Sequence, residues 1–335
     1  MKVIYVDAGH GWATISVASR LLAELLQAEL VVVPLADAGG RLSQLASIAP
    51  RRHGREDCLV IAPNPGGLRA VASARQLLRG YRHVAGWVID SFWDDRIPGI
   101  ARTKQFDQYF VTDRDDIEAW SSTTGRPVSS VPIGSNTLDL GSATAERPID
   151  VIRLGRQPEQ WDDDVEVEAA FRTRGITFTG RPEYHDDPIR NQREVASQLA
   201  TTKFTLSFSP KHSPADYTHP TREYLTGRWT DASSAGAVVA GIAPVCGSAT
   251  DLLWPGATLE LGTTDREAGL ELISEAIRTW GPQQAVANHL MALRRLDLRW
   301  RIASIAEAMG ITSDRLDTEL GRLREAIATA ESLSD

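Results

Sequence analysis

Short runs of aliphatic and β-branched residues alternate along the chain with longer stretches in which apolar positions recur every three to four residues. That alternation predicts parallel strands joined by crossover helices. In the first half the runs fall at 3–6, 30–33, 58–62, 84–89, 109–112 and 128–133. Most are continuously apolar, as parallel strands covered on both faces are. Between the first two, Ile15, Ala18, Leu21, Leu22, Leu25 and Leu26 define the buried stripe of a helix over 15–28. The segment 137–148 (TLDLGSATAERP) follows neither period and reads as a linker. The alternation then restarts, with strands expected at 151–154, 176–179, 204–208, 237–242 and 258–261 and helices around 165–174, 193–201, 225–235 and 268–280. The predicted architecture is α/β: two Rossmann-like domains with parallel sheets facing across a cleft, at 1–140 and 141–290, and helices at 291–335 packing back on the domains. In open sheets of this kind ligands bind beyond the carboxyl ends of strands, so the loops that follow strands are the places to look for chemistry.

Composition narrows the function classes. The 36 basic residues against 44 acidic ones give a net charge of -8, which supplies no general field for nucleic acid or an anionic membrane. Only four of the basic residues are Lys; Arg is the side chain whose fixed fork suits phosphate and carboxylate. Cys58 and Cys246 lie in apolar stretches and read as two buried thiols, without a disulfide framework or zinc site. The opening MKVIYVDAGHGW reads as a first strand rather than a signal peptide, and no apolar run approaches the ~20 residues of a membrane span, so a cytoplasmic protein is expected.

The most informative stretch is HPTREYLTGRWTDASSAGAVVAGIAP at 219–244, where Glu223 and Asp231 stand with seven residues between them ahead of a small-residue run into a strand. It resembles the E-x7-E motif of retaining GT-B glycosyltransferases, especially family 4, with Asp at the second position. VSSVPIGSN at 128–136 is similar to the end of the N-terminal domain in that superfamily. IDVIRLGRQPEQW at 149–161 resembles the first strand and loop of the following domain, and ITFTGRP at 176–182 its second strand. The resemblance implies the GT-B fold. It also implies that Glu223 contacts the donor sugar hydroxyls and Asp231 the ribose hydroxyls, with Ser234 and Gly236 among the small residues that let the helix approach the donor. A carboxylate suits a vicinal diol because its charge strengthens the hydroxyl hydrogen bonds it accepts.

By the same resemblance Arg156, in the loop after 151–154, meets the donor diphosphate and offsets charge building on the leaving group. The family's Lys five residues later is replaced by Trp161, leaving Arg181, Lys203, Lys211 and Arg228 as candidate substitutes. Arg228 also fits an Arg-x-aromatic-acid variant of the motif seen in the CgeB-like branch, except that Thr230 stands at the aromatic position.

The loop 7–12 (DAGHGW) resembles the glycine-rich loop that covers the donor phosphates from the N-terminal side, with Gly9 and Gly11 permitting close backbone approach and His10 touching the acceptor or a phosphate. Without G-x-G-x-x-G spacing it does not read as an NAD site. In the loop 90–95 (DSFWDD), Asp90 would orient an acceptor hydroxyl and Phe92 and Trp93 would stack on a sugar ring. The helix–turn–helix look of 302–326 is offset by its acidic second helix, and two packed terminal helices are the better reading.

The expected activity is transfer of a sugar from a UDP- or GDP-sugar donor to the hydroxyl of a glycan, lipid or small-molecule acceptor, with retention. Arg156, Glu223, His10 and Asp90 are the candidate catalytic residues. The nucleotide-sugar is a substrate, and neither a cofactor nor a metal is expected. A nucleotide-sugar 2-epimerase and a non-catalytic nucleotide-sugar-binding protein of the same fold remain as alternatives. Neither nucleic acid nor an integral membrane segment belongs to the picture.

Overall fold

In the computed structural model, which describes residues 1–9, 11–36, 51–72 and 80–332, the chain divides into two compact units: Met1–Pro132 with Arg301–Glu319, and Ile133–Trp300 with Leu320–Asp335. The first unit holds β1 (Lys2–Asp7), α1 (Ala13–Leu25), β2 (Glu29–Pro34), β3 (Cys58–Ala62), β4 (Val84–Val88), β5 (Gln108–Val111), α2 (Ile117–Thr124) and β6 (Val128–Ser130). These six strands pair in parallel in the order β2-β1-β3-β4-β5-β6. Ile4, Val60, Val88, Val111 and Trp120 lie in one buried cluster. The run expected to be extended through 133 pairs only to Ser130, because Pro132 has no N–H to give a ladder.

The second unit begins with α3 (Thr137–Leu140), then β7 (Ile149–Arg153), α4 (Asp164–Arg172), β8 (Phe178–Thr179), α5 (Pro188–Ala200), β9 (Thr202–Phe208), α6 (Gly227–Ser234), β10 (Val238–Ile242), α7 (Gly247–Leu252), β11 (Thr258–Glu260), α8 (Arg266–Thr279) and α9 (Pro282–Arg295). The terminal helices α10 (Leu298–Met309) and α11 (Asp314–Ser332) contribute to both units. The sheet is parallel throughout, ordered β11-β10-β9-β7-β8. Its two faces bury separate clusters, as the period-two alternation of a strand requires. Val151, Phe204 and Val238 pack with Trp161, Phe171 and Phe208, while Ile152 and Val239 pack with Trp229, Ala232 and Leu296. Asp163, Asp187 and Asp265 accept backbone N–H bonds at the starts of α4, α5 and α8, each contributing about 1 kcal/mol.

The division falls at Pro132, ahead of the expected boundary at 140. Residues 135–140 are not a free linker: Ser135 N–H donates to the Leu296 carbonyl at 2.9 Å and Leu138 N–H to Asp297 Oδ2 at 2.8 Å, both in the second unit. The tail after 290 is shared between the units rather than standing as its own piece. Of the two thiols, Cys58 is buried as expected, and burial pushes it up to about 12, but Cys246 is half-buried.

Both sheets have a point where the strand order reverses. In the first, β2 and β3 flank β1; in the second, β8 and β9 flank β7. The loops leaving the two strands at such a point diverge and open a crevice beyond the carboxyl ends.

Candidate functional site

The crevice of the second unit is framed by the loops after β7 and β9. Arg153, at the end of β7 and 2% exposed, holds the first of these as an arch. Its Nη1 donates to the Asp162 carbonyl and to Asp164 Oδ1, both at 2.6 Å, and its Nη2 to Asp162 Oδ1. Within the arch, Gly155 has φ +76°, and a Cβ there would lie 2.6 Å from Arg228 Cδ. Glycine therefore serves twice, by adopting a left-handed backbone and by letting Arg228 pass against the loop.

Arg228 comes from the first turn of α6. Its Nη1 donates to the Phe208 carbonyl at 2.6 Å, at the end of β9, and lies 3.5 Å from both the Arg156 carbonyl and Ser213 Oγ. Burial lowers the guanidinium to about 10, with the charge of Arg156 adding to the effect, so Arg228 stays cationic at neutral pH. Arg156 lies beneath the ring of Tyr217, with Cζ 4.8 Å from the centroid, and its Nη2 is 3.5 Å from Thr218 Oγ1. Its Nη1 is buried with no hydrogen-bond partner, and among the described residues no carboxylate pairs with it. Ser209 Oγ and Thr226 Oγ1 are buried without partners as well. Thr226 precedes α6 without capping it through its side chain, so the first N–H groups of that helix add positive potential. One unpartnered guanidinium nitrogen, two unpartnered hydroxyls and the Arg228 guanidinium, in the loops after β7 and β9 and at the start of α6, are groups that can donate to an anion.

Glu223 and Asp231 are nearby in sequence but differ in freedom. The Glu223 side chain is 2% exposed and its carboxylate is engaged. Oε1 accepts from Val245 N–H at 2.9 Å and Oε2 from Lys211 N–H at 3.3 Å, with Lys211 Nζ 3.9 Å from Oε1. It thus ties the loop after β9 to the loop after β10. Asp231, half-buried on α6, accepts from Ser135 Oγ, which lies 2.9 Å from Thr230 Oγ1.

Other expected residues are placed elsewhere. Ser234 Oγ donates to the Thr230 carbonyl at 2.6 Å and lies 2.8 Å from Thr137 Oγ1, facing the packing side of α6. A Cβ on Gly236 would meet Arg147 Nη2 at 2.5 Å, so this glycine makes room for a buried Arg rather than for a ligand. Lys203 stands at the start of β9, the end of the sheet opposite the crevice, where it pairs with Asp150 at 2.6 Å. Arg181 is exposed beyond the edge strand β8, with its N–H on Asp164 Oδ2 at 3.2 Å. Trp161 is a core residue whose Nε1 donates to the Thr264 carbonyl at 3.0 Å. Of the four candidate cations, the crevice thus holds Arg228 and Lys211.

In the first unit, Gly9 and Gly11 adopt left-handed φ of +80° and +87°, with open space around both. The Gly9 N–H already donates to Asp7 Oδ1 at 2.9 Å. His10 lies outside the described residues. Asp90 follows β4, with its backbone N–H on the Pro63 carbonyl at 2.9 Å. Trp93 carries the Arg96 guanidinium 3.4 Å from its ring centre, and Phe92 lies 5.8 Å away at a tilt.

Sequence reading missed Gly155, Ser209, Ser213, Tyr217, Thr218 and Thr226. The glycine immediately before Arg156 was an available signal; the others come together only through the tertiary fold. Among the described residues no group of three or more His, Cys, Asp or Glu is placed to hold a metal ion, and no helix is long and apolar enough to cross a membrane.

No family model and no curated protein matches the chain. Among solved structures it is similar to Anabaena Alr3699/HepE in complex with UDP, at 13% identity and a TM-score of 0.52, over 92% of this chain and 100% of that one. It is also similar to AviGT4, a glycosyltransferase involved in avilamycin A biosynthesis, at 13% identity and a TM-score of 0.49, over 98% of both chains. At such identities the likeness extends to the fold: an α/β chain of two Rossmann-like units in the GT-B class.

Proposed function

We propose that this chain is a cytoplasmic glycosyltransferase that takes a UDP- or GDP-sugar and passes the sugar to a hydroxyl of a glycan, lipid or small-molecule acceptor with retention, in the manner of family 4 and CgeB-like enzymes. The observation that carries the reading is the pair Arg156 and Arg228 at the β7/β9 crevice, with Arg156 Nη1 buried and unpartnered. A donor diphosphate supplies the anion that this site lacks, and that the neighbouring HepE was crystallised with UDP accords with it. Arg156 and Arg228, with the first N–H groups of α6, would hold the diphosphate, and Asp231 the ribose hydroxyls. Glu223 would meet the sugar through lone pairs not used by Lys211 and Val245. Gly9 and Gly11 would approach the donor phosphates, His10 would touch the acceptor or a phosphate, and Asp90 would orient an acceptor hydroxyl.

In the reaction the bond from the acceptor oxygen to the anomeric carbon forms as the bond from that carbon to the β-phosphate oxygen breaks. The nucleoside diphosphate leaves, and the acceptor proton passes to its phosphate oxygen, so no protein base is needed. The guanidiniums stabilise charge that grows on the leaving group, where preorganised cations are most effective.

Incubation with UDP-, GDP-, ADP- and dTDP-sugars in the presence of an acceptor panel should release nucleoside diphosphate with one of them, and NMR of the product should show a retained anomer. An isomerised donor formed without acceptor would mean an epimerase. Asp231→Ala should weaken nucleoside diphosphate binding by about 1–3 kcal/mol, the cost of removing a charged partner from hydroxyl hydrogen bonds. Equal affinity in calorimetric titration would remove the ribose assignment.

A further inference from the structure

Arg156 is covered by an aromatic ring that belongs to no core cluster. Tyr217 is 70% exposed. It sits in a turn closed by reciprocal bonds: Ala215 N–H donates to Thr218 Oγ1 and Thr218 N–H to the Ala215 carbonyl, each at 2.8 Å. The turn sets two groups side by side against one guanidinium, the Tyr217 ring 4.8 Å from Cζ and Thr218 Oγ1 3.5 Å from Nη2.

Arg228 brings a second cation to the same loop: its Nη1 is 3.5 Å from the Arg156 carbonyl, and the charge of Arg156 adds to burial in lowering the Arg228 guanidinium. No carboxylate pairs with Arg156 among the described residues, so the two guanidiniums repel, and the long Arg156 side chain gains free energy by swinging into water. A ring face attracts a guanidinium and offsets part of that repulsion.

We propose that Tyr217 is a positioning residue for donor binding: its ring holds the Arg156 guanidinium beside Arg228, with the unpartnered Nη1 buried in the crevice, before the diphosphate arrives. The inference rests on reading the crevice as a diphosphate site. Holding the cation in place beforehand removes an ordering cost from the binding step, so the ring contributes to affinity without touching the nucleotide. The phenol hydroxyl has no part in this, and phenylalanine should do as well.

The test is calorimetric titration of UDP and GDP into wild type, Tyr217→Ala, Tyr217→Phe, Arg156→Ala and the double variant Tyr217→Ala/Arg156→Ala. Tyr217→Ala should raise Kd about three- to tenfold, and Tyr217→Phe should stay within about twofold of wild type. In the Arg156→Ala background, loss of the ring should change nothing further. Should Tyr217→Ala bind like wild type, Tyr217→Phe bind as weakly as Tyr217→Ala, or the ring matter equally without Arg156, the inference is overturned while the diphosphate site stands. If wild type binds neither nucleotide, the diphosphate reading falls and the inference with it. At 70% exposure Tyr217 is replaceable without loss of the fold, so a weakened variant reports on binding.

Discussion

Beyond the β7 and β9 ends of the second sheet stand Arg156, Arg228 and Lys211; at the β1 and β3 ends of the first, where its order reverses, stand Asp7, Asn64 and Arg69, and Asp90, Asp94 and Asp95 follow the next strand, β4. The two sheets reverse strand order at equivalent places, so each has the crevice in which ligands of open α/β sheets bind. The contents differ. In the second unit the donors are spare: one guanidinium nitrogen and two hydroxyls lack partners. In the first, Asp7 takes the Gly9 N–H and lies 3.4 Å from the Tyr5 hydroxyl, whose proton burial and the Asp7 charge hold in place. The Arg96 guanidinium lies 3.4 Å from the centre of the Trp93 ring. Topology alone thus offers two candidate anion sites, and they differ in side-chain chemistry.

The sharpest way to break this contrast is to neutralise one charge in each crevice. Arg156→Ala should lower kcat/KM for the donor by about 10²–10³-fold, the usual loss when a preorganised group at the developing charge is removed. Asp7→Asn should leave donor affinity within about threefold of wild type, because the proposed charged contacts to the diphosphate are those of Arg156 and Arg228. Steady-state kinetics with varied donor measures both. Comparable losses from the two substitutions would mean that the first crevice shares the diphosphate.

How far the sequence revealed this contrast depends on the kind of signal. The strands were legible because parallel strands covered on both faces leave continuous apolar runs, as at 58–62 and 204–208, and Arg156 was legible because it follows such a run. The choice among cations was partly open to reading, since Lys203 immediately precedes the 204–208 run and so stands at the wrong end of a parallel strand. The role of Arg228 was not legible. It depends on Gly155 making room for its side chain and on the Phe208 carbonyl receiving it, contacts between segments more than fifty and about twenty residues apart. The engaged state of Glu223 was hidden for the same reason, because its partners are the backbone amides of Lys211 and Val245. The helical turn at 137–140 was not legible within the segment 137–148, because small polar residues suit a linker and a packed turn equally well.

The contrast extends to what holds each unit together. The first buries Ser91, whose Oγ donates to Asp116 and accepts from Thr112 N–H and whose carbonyl accepts from Trp120 Nε1, whereas the second carries Arg147, 4% exposed and, among the described residues, without an acid. Its guanidinium donates to four carbonyls, those of Thr144, Leu199, Thr202 and Ala235, and burial lowers it to about 10. Arg147→Met should cost about 2–4 kcal/mol, since an apolar side chain fills much of the space but leaves buried carbonyls unbonded. Hydrogen exchange should localise the loss to peptides of α5, β9 and α6, and uniform destabilisation that includes β1–β5 would show that the units do not differ in this way.

The smallest expected effect is a pH dependence confined to the second unit. His289, half-buried on α9, lies 2.8 Å from the Ser234 carbonyl; a carbonyl only accepts, so Nδ1 carries the proton and donates. Burial disfavours the charged ring and holds its pKa below the ordinary value; the Ser234 bond opposes this and the charge of Arg147 reinforces it. The unfolded chain therefore binds a proton that the folded chain refuses, between the folded value and about 6.5. Stability should be fully present above that range and fall as pH drops through it. Urea midpoints measured between about pH 5 and 7.5 should decline toward the acid side in wild type. His289→Gln keeps a donor but cannot take up a proton, so it should flatten that slope while lowering the neutral-pH midpoint only slightly. An unchanged slope would assign the acid sensitivity to another group and leave the packing of α9 on α6 as a contact without a titrating member.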